Sequence, residues 1–321
     1  VAGSEKPRYE AVMVTNSPLP DRHVVYGFPP DELVELASHA TQVSPLVPNA
    51  AALEDLGQSG VASAVILAPP GTIERRYAIA KLLQAARPGA HFTVLAPKAK
   101  GGSRLQAELE AFGCEAAFDA RRHFRIAEFA RPTSPAGLAE AIAAGSPFFH
   151  EATGFWTQAG IFAFDRIDPG SQMLLDHLPA LKGRGADLGC GIGVLGRAAL
   201  GHAGVTELVC VDTDGRAVEA CRRNLPDPRV SVRWADLRQP LAQVEKLDFV
   251  LSNPPFHDGG AEDRNLGQAF IRRAADVLRK GGTAFIVANR HLPYEATLSA
   301  AFARVSTLAE TGAYKIFEAR R

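Results

Sequence analysis

Asn253-Pro254-Pro255-Phe256 follows directly on the apolar run DFVLS and is followed by His257, Asp258 and two glycines. A proline confines the residue before it to extended backbone, and two in succession stiffen a turn. The tetrapeptide therefore holds two acceptors, the Asn253 amide and the Pro254 carbonyl, at fixed positions. An exocyclic amine on a nucleobase is a poor nucleophile, because its lone pair is delocalised into the ring. Accepting its two N–H bonds, with Asn253 Oδ1 and the Pro254 carbonyl, would orient the amine and favour the charge that builds on nitrogen as it attacks an electrophile. The amine becomes strongly acidic as the new bond forms, so no dedicated general base is required. Phe256 adds a flat face on which a planar base can stack. His257 and Asp258 are assigned to shaping the base pocket rather than to acid–base work.

A second stretch could hold the electrophile. Asp187-Leu188-Gly189-Cys190-Gly191-Ile192-Gly193 reads as a strand-to-helix turn. Its glycines let the backbone approach a ligand, and the helix that begins near Val194 favours an anionic group at its start. Gly191-x-Gly193-x-x-Gly196 also matches a dinucleotide pattern, which alone is weak evidence. A carboxylate beside a pyrophosphate would repel it, so Asp187 favours S-adenosylmethionine over NAD, with the carboxylate near the methionine ammonium. Asp212 ends the next strand, where it could grip ribose hydroxyls, and Asp236 ends the third, where it could accept an adenine amino hydrogen. A single such aspartate is usually a turn or cap residue. Three at successive carboxyl ends of strands lie on the face where α/β sheets bind ligands.

The scaffold that these residues need is visible in the alternation of strand-like and helix-like segments, an α/β pattern with a mainly parallel sheet. In the first half the strands read at 11–14, 63–68 and 91–97, with helices at 73–86 and 103–113. Residues 131–164, rich in proline, glycine and aromatics, read as a connection, and the boundary between domains is placed near residue 145. The division is thus 1–145 and 146–321. In the second half a helix at 170–181 precedes strands at 186–188, 207–212, 230–236, 248–253 and 283–289. RVSTLAE and AYKIFEAR, separated by Thr311-Gly312, read as a closing hairpin. The expected architecture is two tandem Rossmann-like domains, the second a seven-stranded, mostly parallel sheet with an antiparallel C-terminal hairpin.

The 321 residues carry 35 basic and 35 acidic side chains, for a formal net charge of zero. No global positive field marks a nonspecific nucleic-acid coat. Cys114, Cys190, Cys210 and Cys221 show neither a C-x-x-C pair nor metal-ligand spacing, so no metal is expected, and a reducing, cytoplasmic setting is the simplest expectation. No apolar run reaches the about 20 residues of a membrane helix, and VAGSEKPRYE has no signal pattern. Lys98, Lys100, Arg104, Arg121, Arg122 and Arg125, with Arg290 and His291, are candidates for phosphate contacts, although solvated surface charge explains any one of them equally well. Phe155, Trp156 and Phe162 could pack the seam between the domains or stack on a base, and packing is preferred.

The sequence resembles class I S-adenosylmethionine-dependent methyltransferases, and more narrowly the RsmC/RlmG-like ribosomal RNA guanine-N2 methyltransferases. The resemblance rests on GIFAFDRIDPGSQMLL (160–175), DLGCGIGVLG (187–196), SNPPFHDGG (252–260), IVANRHLPY (286–294) and TGAYKIFEA (311–319), and more loosely on APKAKGG (96–102) and DARRHF (119–124). It implies a tandem of methyltransferase-like domains, the first of which has lost its cofactor site and helps to hold RNA. In agreement, the turn after SAVILAP reads PGTIER, without a glycine triplet, and no N-P-P-F occurs before residue 253. The resemblance implies cofactor contacts at Asp187, Gly189, Gly191, Asp212, Asp236 and Asn253, with Ser171 and Gln172 over the methionine end. Asn253, Pro254 and Phe256 would be the catalytic residues and ribosomal RNA or a ribosomal subunit the partner. No obligate protein partner and a monomer are expected. The glycine-interrupted lead-in GRGADLGCG departs from the family's fuller apolar strand. The alternatives are the same chemistry on a protein glutamine or adenine N6, where the tetrapeptide typically ends in Tyr, and a non-catalytic RNA-binding factor that keeps the fold.

Overall fold

The computed structural model describes residues 21–321 apart from residues 59, 256, 259, 260 and 263. The strand expected at 11–14 and the side chains of Phe256, His257 and Asp258 fall outside the described part. The first sheet is built from β1 (Arg22–Tyr26), β2 (Thr41–Gln42), β3 (Val61–Leu67), β4 (Ala86–Pro97), β5 (Ala117–Arg121) and β6 (Phe124–Ala130), in the order β2-β1-β3-β4-β6-β5. Helices α1 (Thr72–Ala85), α2 (Leu105–Ala111) and α3 (Leu138–Gly145) accompany it. Ala64, Ile66, Phe92 and Val94 share a buried core with Ile79, Leu82 and Leu83 of α1, and these side chains are closed to solvent. Burying each of these side chains larger than alanine is worth about 1.5–3 kcal/mol.

A short hairpin, β7 (Phe148–His150) and β8 (Phe155–Thr157), leads into the second domain. There α4 (Pro169–His177), β9 (Lys182–Leu188), α5 (Val194–Leu200), β10 (Gly204–Asp212), α6 (Gly215–Asn224), β11 (Val230–Trp234) and β12 (Leu247–Ser252) follow in sequence. A small hairpin, β13 (His257–Asp258) with β14 (Ala261–Glu262), precedes α7 (Arg264–Val277), β15 (Leu278–Asn289), α8 (Glu295–Ala301), β16 (Arg304–Glu310) and β17 (Tyr314–Arg320). The seven strands run β11-β10-β9-β12-β15-β17-β16, parallel except at β17, which pairs antiparallel with both β15 and β16. This is the expected seven-stranded sheet with its reversed hairpin. Helix α4 stops at His177, earlier than its apolar pattern suggests, because Leu178 precedes Pro179 and takes extended backbone (ψ 131°). Strand β11 ends at Trp234, which leaves Asp236 two residues beyond it.

The glycines before Asp187 have a packing reason. A Cβ on Gly185 would run into the Phe249 ring, and one on Gly183, which has φ +81°, into the Asp248 carboxylate. The lead-in is a full strand, and β12 supplies the side chains that its glycines lack.

The two sheets follow one plan. From β2 to β5 the first sheet repeats, strand for strand and direction for direction, the order from β10 to β16 in the second. Tyr26-Gly27 then answers to Leu188-Gly189, and both glycines are left-handed, at φ +81° and +77°. The turn after β3 answers to the one after β12, so Ala68-Pro69-Pro70 is the counterpart of Asn253-Pro254-Pro255, not of the glycine loop. Reading PGTIER as a degenerate glycine loop missed this, because β1 and β2 precede β3 and went unrecognised as strands.

The domains are clasped by Arg216 on α6. Its guanidinium meets Glu74 Oε1 of α1 at 2.7 Å and Asp214 Oδ2 at 2.8 Å, with all three side chains nearly closed to solvent. Gln158 Nε2 donates to the Gly145 carbonyl and the Gly215 N–H to that of Pro45. Among the described residues no helix is long and apolar enough to cross a membrane. No group of His, Cys, Asp or Glu side chains among them could hold a metal ion.

Candidate active site

Strand β9 ends at Leu188, and the next residues turn sharply because Gly189, Gly191 and Gly193 take φ of +77°, +51° and +92°. Side chains rarely adopt that region, so glycine is required there. The Gly189 and Cys190 N–H groups both donate to the Val211 carbonyl, at 2.8 and 3.0 Å, and seat the loop against β10. Asp212 braces it further. Its Oδ2 accepts from Gly191 N–H at 2.8 Å and its Oδ1 from Asp214 N–H at 2.9 Å. Burial pushes the Asp212 carboxyl up to about 6, against the pull of those N–H donors. Each carboxylate oxygen has a second lone pair, so it can still accept from a ligand.

Asp187 lies completely buried beneath the loop. Its Oδ2 accepts from Gly196 N–H at 3.0 Å, and Oδ1 has no partner among the described residues. Burial raises its carboxyl well above the ordinary range, against the pull of the Gly196 N–H. Three of the four cysteines, Cys190, Cys210 and Cys221, are packed under this loop as apolar filler.

Asn253 follows β12 and faces the loop across a cleft that Asp168, Ser171, Gly189, Gly191 and Phe162 also line. Both of its amide hydrogens are taken, one by Asp168 Oδ2 at 2.8 Å and one by Ser171 Oγ at 2.9 Å. Oδ1 is buried and has no partner among the described residues. A buried acceptor without a donor costs about 1–3 kcal/mol, so its retention marks a place where function outweighs stability. Asp168 is the N-cap of α4 and accepts the Ser171 N–H at 2.9 Å with the same Oδ2. Gly170 lets the segment pass, since a Cβ there would stand 3.0 Å from the Asp168 carboxylate and from the Tyr314 ring.

The structure thus gathers Asn253, Ser171, Gly189 and Gly191 around one cleft and sets Asp187 and Asp212 behind its loop. Gln172 points elsewhere: it is exposed, and its Nε2 donates to Asp176 Oδ1 along the helix. Asp236 is held by Arg238 through hydrogen bonds of 2.9 and 3.0 Å. Burial raises its carboxyl, but those bonds and the Arg238 charge outweigh it and hold the group below the usual range. Pro254 is buried. Sequence reasoning missed Asp168, whose signal was its N-cap position before Pro169. It also preferred packing over base stacking for Phe162, whereas that residue is 61% exposed and lines the cleft. Phe155 does pack, under the Arg197 guanidinium. Of the candidate phosphate contacts, Arg121, Arg122 and Arg290 pair with Asp119, Glu32 and Glu310.

Residues 152–318 match the family model described as methyltransferase small domain. The chain is similar to the protein called ribosomal RNA small subunit methyltransferase C of Shewanella loihica, 39% identical over 163 residues, which is 50% of this chain and 47% of that protein. The Shewanella pealeana protein of the same name is 39% identical over 159 residues, 49% of this chain and 46% of its own. The chain spans about half the length of the curated relatives it matches. A 16S rRNA N2 methyltransferase (RsmC) of T. thermophilus, solved with AdoMet and guanosine, shares the fold across both domains, with a TM-score of 0.75, 22% identity, and coverage of 94% of this chain and 89% of that one. The glycine loop, the Asn-Pro-Pro turn and the sheet that carries them all lie within the matched residues, and the protein belongs to the methyltransferase small domain family.

Proposed function

We propose that this chain transfers a methyl group from S-adenosylmethionine to the exocyclic N2 amine of a guanosine in the RNA of the small ribosomal subunit. The observation that carries this reading is the Asn253 amide oxygen, a buried acceptor without a partner among the described residues, on a side chain that lines the cleft beside the glycine loop. The loop fits the cofactor. A Cβ on Gly191 would meet nothing within 4 Å, so the backbone there faces open space. Bound S-adenosylmethionine would supply a methyl group on a sulfonium centre. Gly189 and Gly191 are assigned to its methionine end with Asp187 supporting them from below, Asp212 to the ribose hydroxyls, Asp236 to the adenine amino group, and Ser171 to the segment above.

Asn253 Oδ1 and the Pro254 carbonyl accept the two N–H bonds of the guanine amine and turn its lone pair toward the loop, with Phe256 assigned to stack on the base. As charge grows on that nitrogen the two acceptors strengthen their hold, which lowers the barrier without a proton acceptor of high basicity. The base would leave its helix to reach the cleft, at a cost of a few kcal/mol if paired. Residues 1–145 are assigned to structure and RNA binding, and 146–321 to catalysis in the cytoplasm. The packing of α3 on α1 supports a division after Gly145.

Purified small and large ribosomal subunits, offered with labelled S-adenosylmethionine beside total protein, test the proposal. Label recovered as N2-methylguanosine from the small subunit is expected. Label in protein, or in N6-methyladenosine, would overturn it.

A further inference from the structure

The oxygen of Asn253, without a partner among the described residues, raises the question of what keeps the amide from turning over. An amide is nearly symmetric in shape, and its two faces exchange by a rotation of the side chain. With the nitrogen in the cleft, the residue would present donors to an amine that needs acceptors. We infer that Asp168 is the positioning residue that fixes the Asn253 amide with its oxygen toward the acceptor base. This rests on the methyltransferase reading above.

The argument is one of donors and acceptors. A carboxylate can only accept, so the group 2.8 Å from Asp168 Oδ2 has to be the Asn253 nitrogen. Turning the amide over would set its oxygen against that carboxylate, both acceptors, at hydrogen-bond distance. Ser171 Oγ takes the second amide hydrogen at 2.9 Å, so both N–H groups are committed and Oδ1 alone is left. Asp168 is itself held, because the same Oδ2 accepts the Ser171 N–H at the start of α4. The N-cap of a helix is thereby also the lock on the residue 85 positions away. A charge-assisted bond of this kind further polarises the amide and makes its oxygen a better acceptor. The same carboxylate serves the fold and the orientation, and a test must separate the two.

Two substitutions do so. D168S keeps a side-chain cap for Ser171 N–H but is one atom too short to reach Asn253. D168N keeps both the cap and, through its own amide oxygen, an acceptor for Asn253. Methyl transfer to purified small ribosomal subunits, binding of S-adenosylhomocysteine by calorimetry, and thermal unfolding would be measured for both beside N253A. The expected result is a kcat about 10- to 100-fold lower for D168S, with KM for the cofactor and affinity for S-adenosylhomocysteine within about threefold of the parent protein. D168N should recover most of that loss. An undiminished kcat in D168S would overturn the inference, as would D168N failing as badly as D168S. Loss of S-adenosylhomocysteine binding in D168S would also overturn it, by moving Asp168 to the cofactor grip. If D168S is intact while N253A is inactive, the methyltransferase reading stands and only the role of Asp168 falls. An active N253A removes the reading itself.

Discussion

Replacing Asn253 probes the chemistry most directly. In N253A the transition state loses one of the two acceptors that hold the amine. Removing a single preorganised hydrogen-bonding group of this type typically costs about 3–4 kcal/mol, so kcat should fall about 100- to 1,000-fold. Stability should change little: a buried acceptor without a donor disappears, and two hydrogen bonds to Asp168 and Ser171 go with it. These terms are each about 1–3 kcal/mol and opposite in sign. N253D is the sharper case, since it keeps the acceptor oxygen but brings a carboxylate to the place now 2.8 Å from Asp168 Oδ2. Two unit charges at that distance repel by about 6 kcal/mol at an effective dielectric constant of 20. That is roughly four pKa units, so one proton is held between the two acids at neutral pH. The protonated pair keeps the amine-facing oxygen in place. Turnover of N253D should therefore rise as pH falls from about 9 toward 6 and vanish as the shared proton is lost, and its stability should decline in the same direction. Single-turnover methyl transfer across that range is the assay. Wild-type turnover by N253D at high pH, or turnover by N253A within about tenfold of the parent protein, would refute the reasoning.

Three further outcomes follow from the same geometry. Asp212, pushed up to about 6 by burial, offers its ionised form to ribose hydroxyls. Affinity for S-adenosylhomocysteine should be full above about pH 7 and weaken by up to about tenfold for each unit below the folded pKa. Because that pKa is raised, the carboxyl's own contribution to the stability of the free protein runs the other way, present in acid and lost as pH rises through about 6; calorimetry and thermal unfolding across pH 4.5–8 separate the two. R216M should destabilise the chain by about 3–5 kcal/mol in thermal or urea unfolding, by leaving Glu74 and Asp214 buried without their cation. Adding E74Q should recover part of the loss. G191A should fold with a strain of about 1–2 kcal/mol and lose at least about tenfold in S-adenosylhomocysteine affinity, since its methyl group enters open space beside the loop; unchanged affinity would separate the cofactor from this loop.

Much of the second domain was legible because its strands are apolar and its turns carry glycine and proline, residues that act locally. The turns that bring Gly189, Gly191 and Asn253 to one cleft could be read from local sequence. Asp168 could not, since the bond that gives it meaning joins residues far apart in the chain, and its only local signal was the cap before Pro169. The direction of Gln172 was equally hidden: one residue along α4 separates the buried Ser171 from a side chain that faces solvent. The first domain was harder to read. Its β2 is two residues long, and a strand that short has no periodicity to detect. Without β1 and β2, the proline turn after β3 was matched to the wrong half of the site.

That turn has its own occupant. The Pro69 and Pro70 carbonyls both accept from Arg75 Nη1, at 2.8 and 2.9 Å, and the same guanidinium is gripped on its other edge by Glu108 through two bonds of 2.6 Å. Arg75 is completely buried. It acts as a tethered ligand, permanently saturating a position whose counterpart in the second domain borders the cleft at Asn253. A solute that binds only the folded form stabilises it by about 3 kcal/mol at a hundred times its dissociation constant. On the proposed activity the second domain can gain that increment and lose it as the methyl donor is consumed. The first cannot, because its ligand is part of the chain and has no concentration to vary.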